Sequence, residues 1–447
     1  MRLLLGVDLG TSYFKVGLFE ENGTLRGLGR VAVEASAPAP GRSELGAETF
    51  WALLRRAFSE ALTRAGAEPR DIAGMSYSSQ ANTFILLDRG DLPLSPLILW
   101  TDTRAAPAPE HLAFSNSAAF SRAVGFNTVA AESAVTKWHW WRIHEREQWA
   151  RAQCVLTISD YFTHALTGER VGDASTAALL GLYHLHDRRW WDEALTGFGI
   201  EAGRLARPLP PGTPCGRTRS EAARLLGVPA GIPFAVGALD HHAAAIGAGL
   251  DVFADVSISI GTVLAATCLV DRVEHLAGCF HGPHFDGRRF YRLAFNPNGA
   301  GALEEYQRRF APGRTIDQLI AEAATVPAGS TAAAAPDSAT AAGQQGAAVR
   351  SLLERMAFAQ RELVSRISRG QLPRTIAATG GGARNAAWLA LTADVMGTPI
   401  VTSTSPERAC LGAAVFAAAA AGVHPTIDAA ARAMVRLHQR FGPPPGR

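Results

Sequence analysis

The chain has 447 residues, 47% hydrophobic and 19% charged, which is enough for two or three domains with their own cores. A formal net charge of +3 excludes a strongly basic protein that coats nucleic acid, and the composition excludes a disordered one. Positive charge is nearly all arginine: Lys15 and Lys137 are the lysines, and neither lies in the Gly-rich run of a Walker phosphate loop.

Cys154, Cys215, Cys268, Cys279 and Cys410 form no C-x-x-C pair, which argues against zinc and thioredoxin-like redox chemistry. Scattered thiols suit a reducing cytoplasm. The first apolar run stops at Asp8, short of a signal peptide, and 411–422 is too short to span a bilayer. The expectation is a cytoplasmic protein that binds neither membrane nor nucleic acid.

Residues 3–7 are continuously apolar and predict a buried strand. After Gly10-Thr11-Ser12, 14–19 alternates as a second strand. Asn22-Gly23 marks a hairpin, and 24–33 is a third strand. Residues 46–65 have helical spacing and 72–77 is a short strand. Strands at 84–88 and 97–100 flank a polar turn at Arg89-Gly90-Asp91. Further on, 155–158 predicts a strand and 161–166 a helix closed by Gly168. A helix at 220–226 ends at Gly227. Residues 233–239 form a strand running into Asp240, and 240–249 a small-residue helix.

Near 251 the same plan begins again. GVDLGTSYFKVGLF parallels SISIGTVLAATCLV, each a strand, a Gly-Thr turn and a strand. DIAGMSYSSQ parallels TIAATGGGARN, and ALDHHAAAIGAG parallels PERACLGAAVFAAAAAG. Their shared order predicts an internal duplication, with domains at 1–250 and 251–430 and a tail at 431–447. Residues 323–348, rich in Ala, Gly, Ser and Thr, predict a surface segment outside the core.

Chemistry concentrates in a few places. Gly10 permits a tight turn whose backbone N–H groups can face an anion, and the Thr11 and Ser12 hydroxyls add donors. Asp8, at the strand end, can hold Mg²⁺ through water. An ordinary polar hairpin fits that pentapeptide equally well. Gly261-Thr262 repeats the turn, and two such turns facing a cleft would hold a nucleotide without a Walker lysine. The loop 380–385, after a strand, lets a purine approach closely; a glycine-rich loop with no ligand is the alternative. In Asp240-His241-His242 the histidines point about 100° apart on a helix, so they do not share one metal. Asp240 ends a strand and is placed to take a proton from a substrate hydroxyl, or it simply caps the helix. Gln80, Asn82 and Asp102 follow strands and offer amide and carboxylate groups to polyol hydroxyls, though each alone is also an ordinary loop residue.

Together, DLGTSYFKVGLF, FAVGALDHHAAAIGAG, SISIGTV, TGGGARNAAWLALTADVMGTPI and ERACLGAAVFAAAAAG resemble, in order, the motifs of the FGGY carbohydrate kinases of the actin-like superfamily. Shorter matches are ILWTDTR, DYFTHALTGE and DASTAA. The resemblance covers about residues 3 to 425. It implies an α/β fold of two actin-like (ribonuclease H-like) domains with an interdomain cleft. It implies that residues 1–250 bind sugar and carry the first phosphate motif, and that 251–430 bind nucleotide. The implied reaction is ATP-dependent phosphorylation of a sugar or polyol, with a xylulose-like pentulose as the expected substrate. Asp240 would be the general base and Asp8 would lie near Mg²⁺. Gly10, Thr11, Ser12, Gly261 and Thr262 would hold phosphates. Gly301, Gly381, Gly382 and Asn385 would line the adenine nucleotide site. Gln80, Ala81, Asn82, Asp102 and His241 would face the substrate. Three departures stand out. Glycerol kinases carry Arg-Glu where Ala81-Asn82 stand, xylulokinases carry Met-His there, and His241 replaces the usual Gln or Asn. The competing expectations are an actin-like ATPase or chaperone and an inactive relative that only binds sugar. A homodimer is the expected assembly.

Overall fold

Leu3–Leu9 is buried along its whole length, so layers must cover both of its faces. The computed structural model describes residues 2–107, 110–127, 129–329 and 345–443. The chain forms two compact units. The first is Met1–Gly247 with Val270–Tyr291 and Glu407–Val435. The second is Ala248–Leu269 with Arg292–Pro406 and Arg436–Arg447.

In the first unit, Leu3–Leu9 lies antiparallel to Tyr13–Phe19 and parallel to Ile72–Ser79. Leu25–Ala32 extends the sheet beyond Tyr13–Phe19; Pro233–Ala235 and then Pro214–Arg217 extend it on the other side. Alternation along Leu3–Leu9 sends Leu3, Leu5, Val7 and Leu9 into one core with Phe50, Trp51 and Leu54 of the helix Ala47–Ala65. On the other face the helix Arg408–Ala420 lies so close that a side chain at Gly6 would strike the Cys410 carbonyl. A four-stranded sheet joins Glu44–Leu45, Leu97–Ile98, Phe84–Leu87 and Cys154–Thr157. It packs on a separate aromatic cluster around Phe120, Trp138, Trp141 and Phe198.

The second unit repeats this wiring. Val256–Ile260 is antiparallel to Leu264–Val270 and parallel to Ile376–Thr379. Phe290–Asn296 neighbours Leu264–Val270, and Phe280–Pro283 neighbours Phe290–Asn296. Ile400–Ser403 pairs parallel with Ile376–Thr379, and Leu437–Phe441 closes the edge antiparallel to it. Each sheet thus contains an antiparallel strand pair, two successive parallel strands beside its first member, and an antiparallel edge strand next to them.

Two predicted elements differ in detail. The strand at 233–239 is interrupted, because at Gly237 the backbone crosses against the Tyr77 carbonyl with no room for a side chain. Both of its pieces still pair parallel to Ile72–Ser79. Of the 323–348 segment, 330–344 lie outside the described residues. Its two ends are helical, with Ala323 and Ala348 fully buried. Residues 431–447, expected as a tail, contribute the end of the helix Ile427–Met434 and the edge strand Leu437–Phe441; 444–447 lie outside the described residues. No helix among the described residues is long and apolar enough to cross a membrane.

Candidate functional site

In the first unit, Leu3–Leu9, Ile72–Ser79 and Ala238–Leu239 run parallel. Their register sets Asp8 beside Ser78 and Leu239 beside Ser79. All three strands therefore end at one edge of the sheet. Gly10, Gln80 and Asp240 leave from that edge, where ligands bind in parallel α/β sheets. Strand polarity alone collects these residues from widely separated parts of the chain.

Asp8 is 6% exposed. Its Oδ1 accepts from Ser78 Oγ at 3.0 Å, and its Oδ2 lies 3.3 Å from Lys15 Nζ. Lys15 also meets Glu407 Oε2 at 3.2 Å, bridging two carboxylates. Burial pushes the Asp8 carboxyl up, Lys15 pulls it back, and the nearby Asp240 charge adds to the rise. Burial alone would lower Lys15; the Asp8 and Glu407 charges outweigh it and raise it. Asp240 opens the helix Asp240–Ala248 and is partly buried, and its Oδ1 accepts from the His241 N–H at 2.7 Å.

The turn after Leu9 is tight: a Cβ on Gly10 would lie 2.8 Å from the Tyr13 carbonyl oxygen. The backbone N–H groups of Thr11 and Ser12 donate no hydrogen bond among the described residues, so they are available to an anion. Gln80 spans the base of the turn. Its Nε2 donates to the Gly10 carbonyl at 3.2 Å, and its Oε1 accepts from Thr83 Oγ1 at 3.0 Å and Thr11 Oγ1 at 3.5 Å. The Trp100 indole N–H donates to Thr11 Oγ1 at 2.7 Å.

Asn82 sits in the left-handed region at φ 60°, which asparagine tolerates. Its Oδ1 accepts from the Ala134 N–H at 3.0 Å, which leaves the Nδ2 donors without a partner among the described residues. Ala81 beside it is partly buried. Asp102 is fully buried, and both of its oxygens are taken by Arg104, with the Ser43 N–H at 2.7 Å. Gln80 and Asp102 thus spend their polar groups on the protein, while Asn82 keeps two donors. His241 is partly buried. The His242 ring lies fully buried, 2.8 Å from His284 Nδ1, and burial with His284 beside it holds it well below its usual range. No group of three or more His, Cys, Asp or Glu among the described residues could hold a metal.

In the second unit, Gly261-Thr262 and the Gly380–Gly382 loop leave the same edge, since Ser259 pairs with Thr379. The Gly261 and Thr262 carbonyls accept from the Ala300 and Gly299 N–H groups at 2.7 and 3.2 Å. That contact anchors the start of the helix Gly301–Phe310. Gly380 takes φ 87°, and a Cβ there would lie 2.6 Å from the Ile260 carbonyl oxygen. At Gly382 a side chain would strike Ile260. Gly381 faces open space. Asn385 caps the helix Ala386–Met396 through Trp388 N and donates to Asp317 Oδ1 at 2.9 Å.

The sequence pattern alone does not mark Lys15, Glu407, Trp100, Arg104 and Lys137 as site residues. One signal was available: in a chain that uses arginine almost everywhere, lysine survives at two positions.

Residues 3–247 match the FGGY family of carbohydrate kinases, N-terminal domain, and 327–421 match its C-terminal domain. The chain is 26% identical to a xylulose kinase of Bacillus subtilis (strain 168), over 99% of this chain and 93% of that one. It is 25% identical to the L-xylulose/3-keto-L-gulonate kinase of Escherichia coli (strain K12), over 96% and 90%. The crystal structure of ligand-bound xylulose kinase from Lactobacillus acidophilus matches the fold with a TM-score of 0.86 at 22% identity, covering 100% of this chain and 94% of that one. These matches set aside the actin-like chaperone as an account of the two Gly-Thr turns. The chain belongs to the FGGY family: it is a carbohydrate kinase with two actin-like domains, acting on ATP and a sugar.

Proposed function

We propose that the protein phosphorylates a hydroxyl of a xylulose-like pentulose, with Asp240 as the general base. The observation that carries this reading is Asp240 at the same sheet edge as Asp8 and the Gly10 turn. Phosphoryl transfer needs alignment and charge neutralisation more than covalent chemistry. Asp240 accepts the hydroxyl proton as the sugar oxygen bonds to the γ-phosphorus in line. The bond to the leaving ADP oxygen breaks and its charge passes to the β-phosphate. The free amides of Thr11 and Ser12 receive phosphate oxygens. In the second unit, Gly261 and Thr262 are assigned to phosphates, with Gly301, Gly381, Gly382 and Asn385 along the adenine nucleotide.

Mg²⁺ keeps most of its waters and needs one or two protein carboxylates. Asp8 fits that demand through water, since Ser78 and Lys15 already meet its two oxygens. When bound, the ion would neutralise phosphate charge beside Asp8. Asn82 is the substrate residue with donors to spare, and Ala81 leaves space beside it. The pentulose assignment follows the xylulose and L-xylulose kinases among the relatives.

ADP release, coupled to a reporter and screened over D-xylulose, L-xylulose, gluconate and glycerol, tests this. A pentulose should give the highest kcat/KM, and Asn82→Ala should raise its KM about tenfold with ATP KM unchanged, the loss of roughly one hydrogen bond. ADP release indifferent to sugar, or a preference for glycerol, would overturn the reading.

A further inference from the structure

Lys137 lies in the first turn of the helix Ala134–His144 and is fully buried. Among the described residues no carboxylate pairs with it. Its Nζ instead meets three backbone carbonyls, Leu99 at 2.8 Å, Asn82 at 3.2 Å and Trp100 at 3.5 Å. The Phe84 ring centroid lies 6.0 Å away. An ammonium has three donors on one point, and here three acceptors converge on that point. A planar guanidinium cannot serve such a cluster, which accounts for lysine in a chain that otherwise uses arginine.

The three carbonyls belong to two loops that do separate jobs. Asn82 turns its Oδ1 to the Ala134 N–H, and its Nδ2 donors have no partner among the described residues. Trp100 holds the Thr11 hydroxyl through its indole, and its own N–H donates to Thr83 Oγ1 at 2.9 Å. Lys137 is the group that ties both loops to one helix.

We propose that the protonated Lys137 ammonium is a positioning group that clamps the Asn82 and Trp100 loops in their sugar-binding geometry, so that its deprotonation loosens sugar binding. This rests on the reading of Asn82 as a substrate contact. Burial pulls the Lys137 ammonium down to about 7, Asp102 and Glu132 oppose the fall, and Arg104 adds to it. A cation in the first turn of a helix is further disfavoured by the helix dipole. The clamp therefore loses its proton within the range of ordinary assays. Neutral lysine keeps two donors and gains a lone pair facing a carbonyl, so one of the three contacts turns repulsive. The sugar KM should be flat below neutral pH and rise above it, by a larger factor than the ATP KM, to which the clamp connects only through the Trp100–Thr11 contact.

The experiment uses the whole chain labelled with ¹³C-lysine. Two side-chain signals are present, from Lys15 and Lys137, so titration is read directly without any substitution. One signal should titrate near neutral pH, and the sugar KM should rise over that same range. Lys137→Met should give a sugar KM at least tenfold higher and independent of pH from 6 to 9, with a smaller change in ATP KM. Lys137→Arg should not restore it. Both signals remaining charged to pH 9, or a flat wild-type sugar KM while Lys137 titrates, would overturn the clamp. Asn82→Ala separates the two failures. If it leaves sugar KM unchanged, the substrate reading has failed; if it raises KM while Lys137 has no effect, only the clamp has.

Discussion

Gly10 and Gly261 occupy equivalent turns, yet a methyl group meets different surroundings in each. At Gly10 it would press within 2.8 Å of the Tyr13 carbonyl; at Gly261 its nearest neighbour is an ordinary 3.6 Å contact. Gly10→Ala should destabilise by about 1–3 kcal/mol, the usual cost of overpacking. Gly261→Ala should stay within about 0.5 kcal/mol. Denaturant midpoints of the two variants check this, and equal losses would show that the turns are built alike. The DLGTS stretch revealed this turn because glycine, hydroxyls and a strand-end carboxylate are adjacent in sequence. The fate of Gln80 and Asp102 was hidden, because whether an amide faces a ligand or a neighbouring loop depends on Thr83, Arg104 and Ser43 arriving from elsewhere.

At the scale of elements, Asp160 closes a reciprocal cap with Thr157 at the start of the helix Ile158–Thr167. Burial raises its carboxyl to about 6, with the Asp173 charge contributing and the Thr157 hydrogen bonds opposing. The folded state then binds the proton more tightly than the unfolded chain, whose carboxylate titrates near 4. Stability is fully present below pH 4 and is lost as pH rises through 6. Asp160→Asn keeps an acceptor for the cap and removes the buried charge. Its melting temperature should exceed that of the wild type by roughly 2–4 °C at pH 8 and by less at pH 5. No gain at pH 8 would mean that the ionised form is not disfavoured. A second junction is the contact between the helices Asp240–Ala248 and Arg408–Ala420, where Gly247 faces the Arg408 carbonyl and Gly412 that of Ala243. Gly412→Val should cost more than about 3 kcal/mol or prevent folding, since it must displace backbone. A stable variant with an unchanged melting temperature would show that the crossing can open. Strands and small-residue helices were legible from periodicity and composition. The break at Gly237 was not, because its cause is the Tyr77 backbone on another strand.

At the scale of the molecule, one wiring occurs twice, and the order of three short sequence echoes was enough to expect it. What the sequence did not disclose is that Glu407–Val435 returns to the first unit. There Glu407 completes the Lys15 bridge and Arg408–Ala420 covers the sheet. That return is a long-range packing event with no local signature. Under the proposed function the two units hold different jobs, with the base in the first and most nucleotide contacts in the second. Asp240→Asn separates those jobs, because asparagine still caps a helix. The measurement is kcat with the preferred sugar, taken with the rise in melting temperature caused by Mg-ATP. With Asp240 as the base, kcat falls by roughly 10²–10⁴-fold with the Mg-ATP stabilisation retained. Turnover near that of the wild type would contradict it.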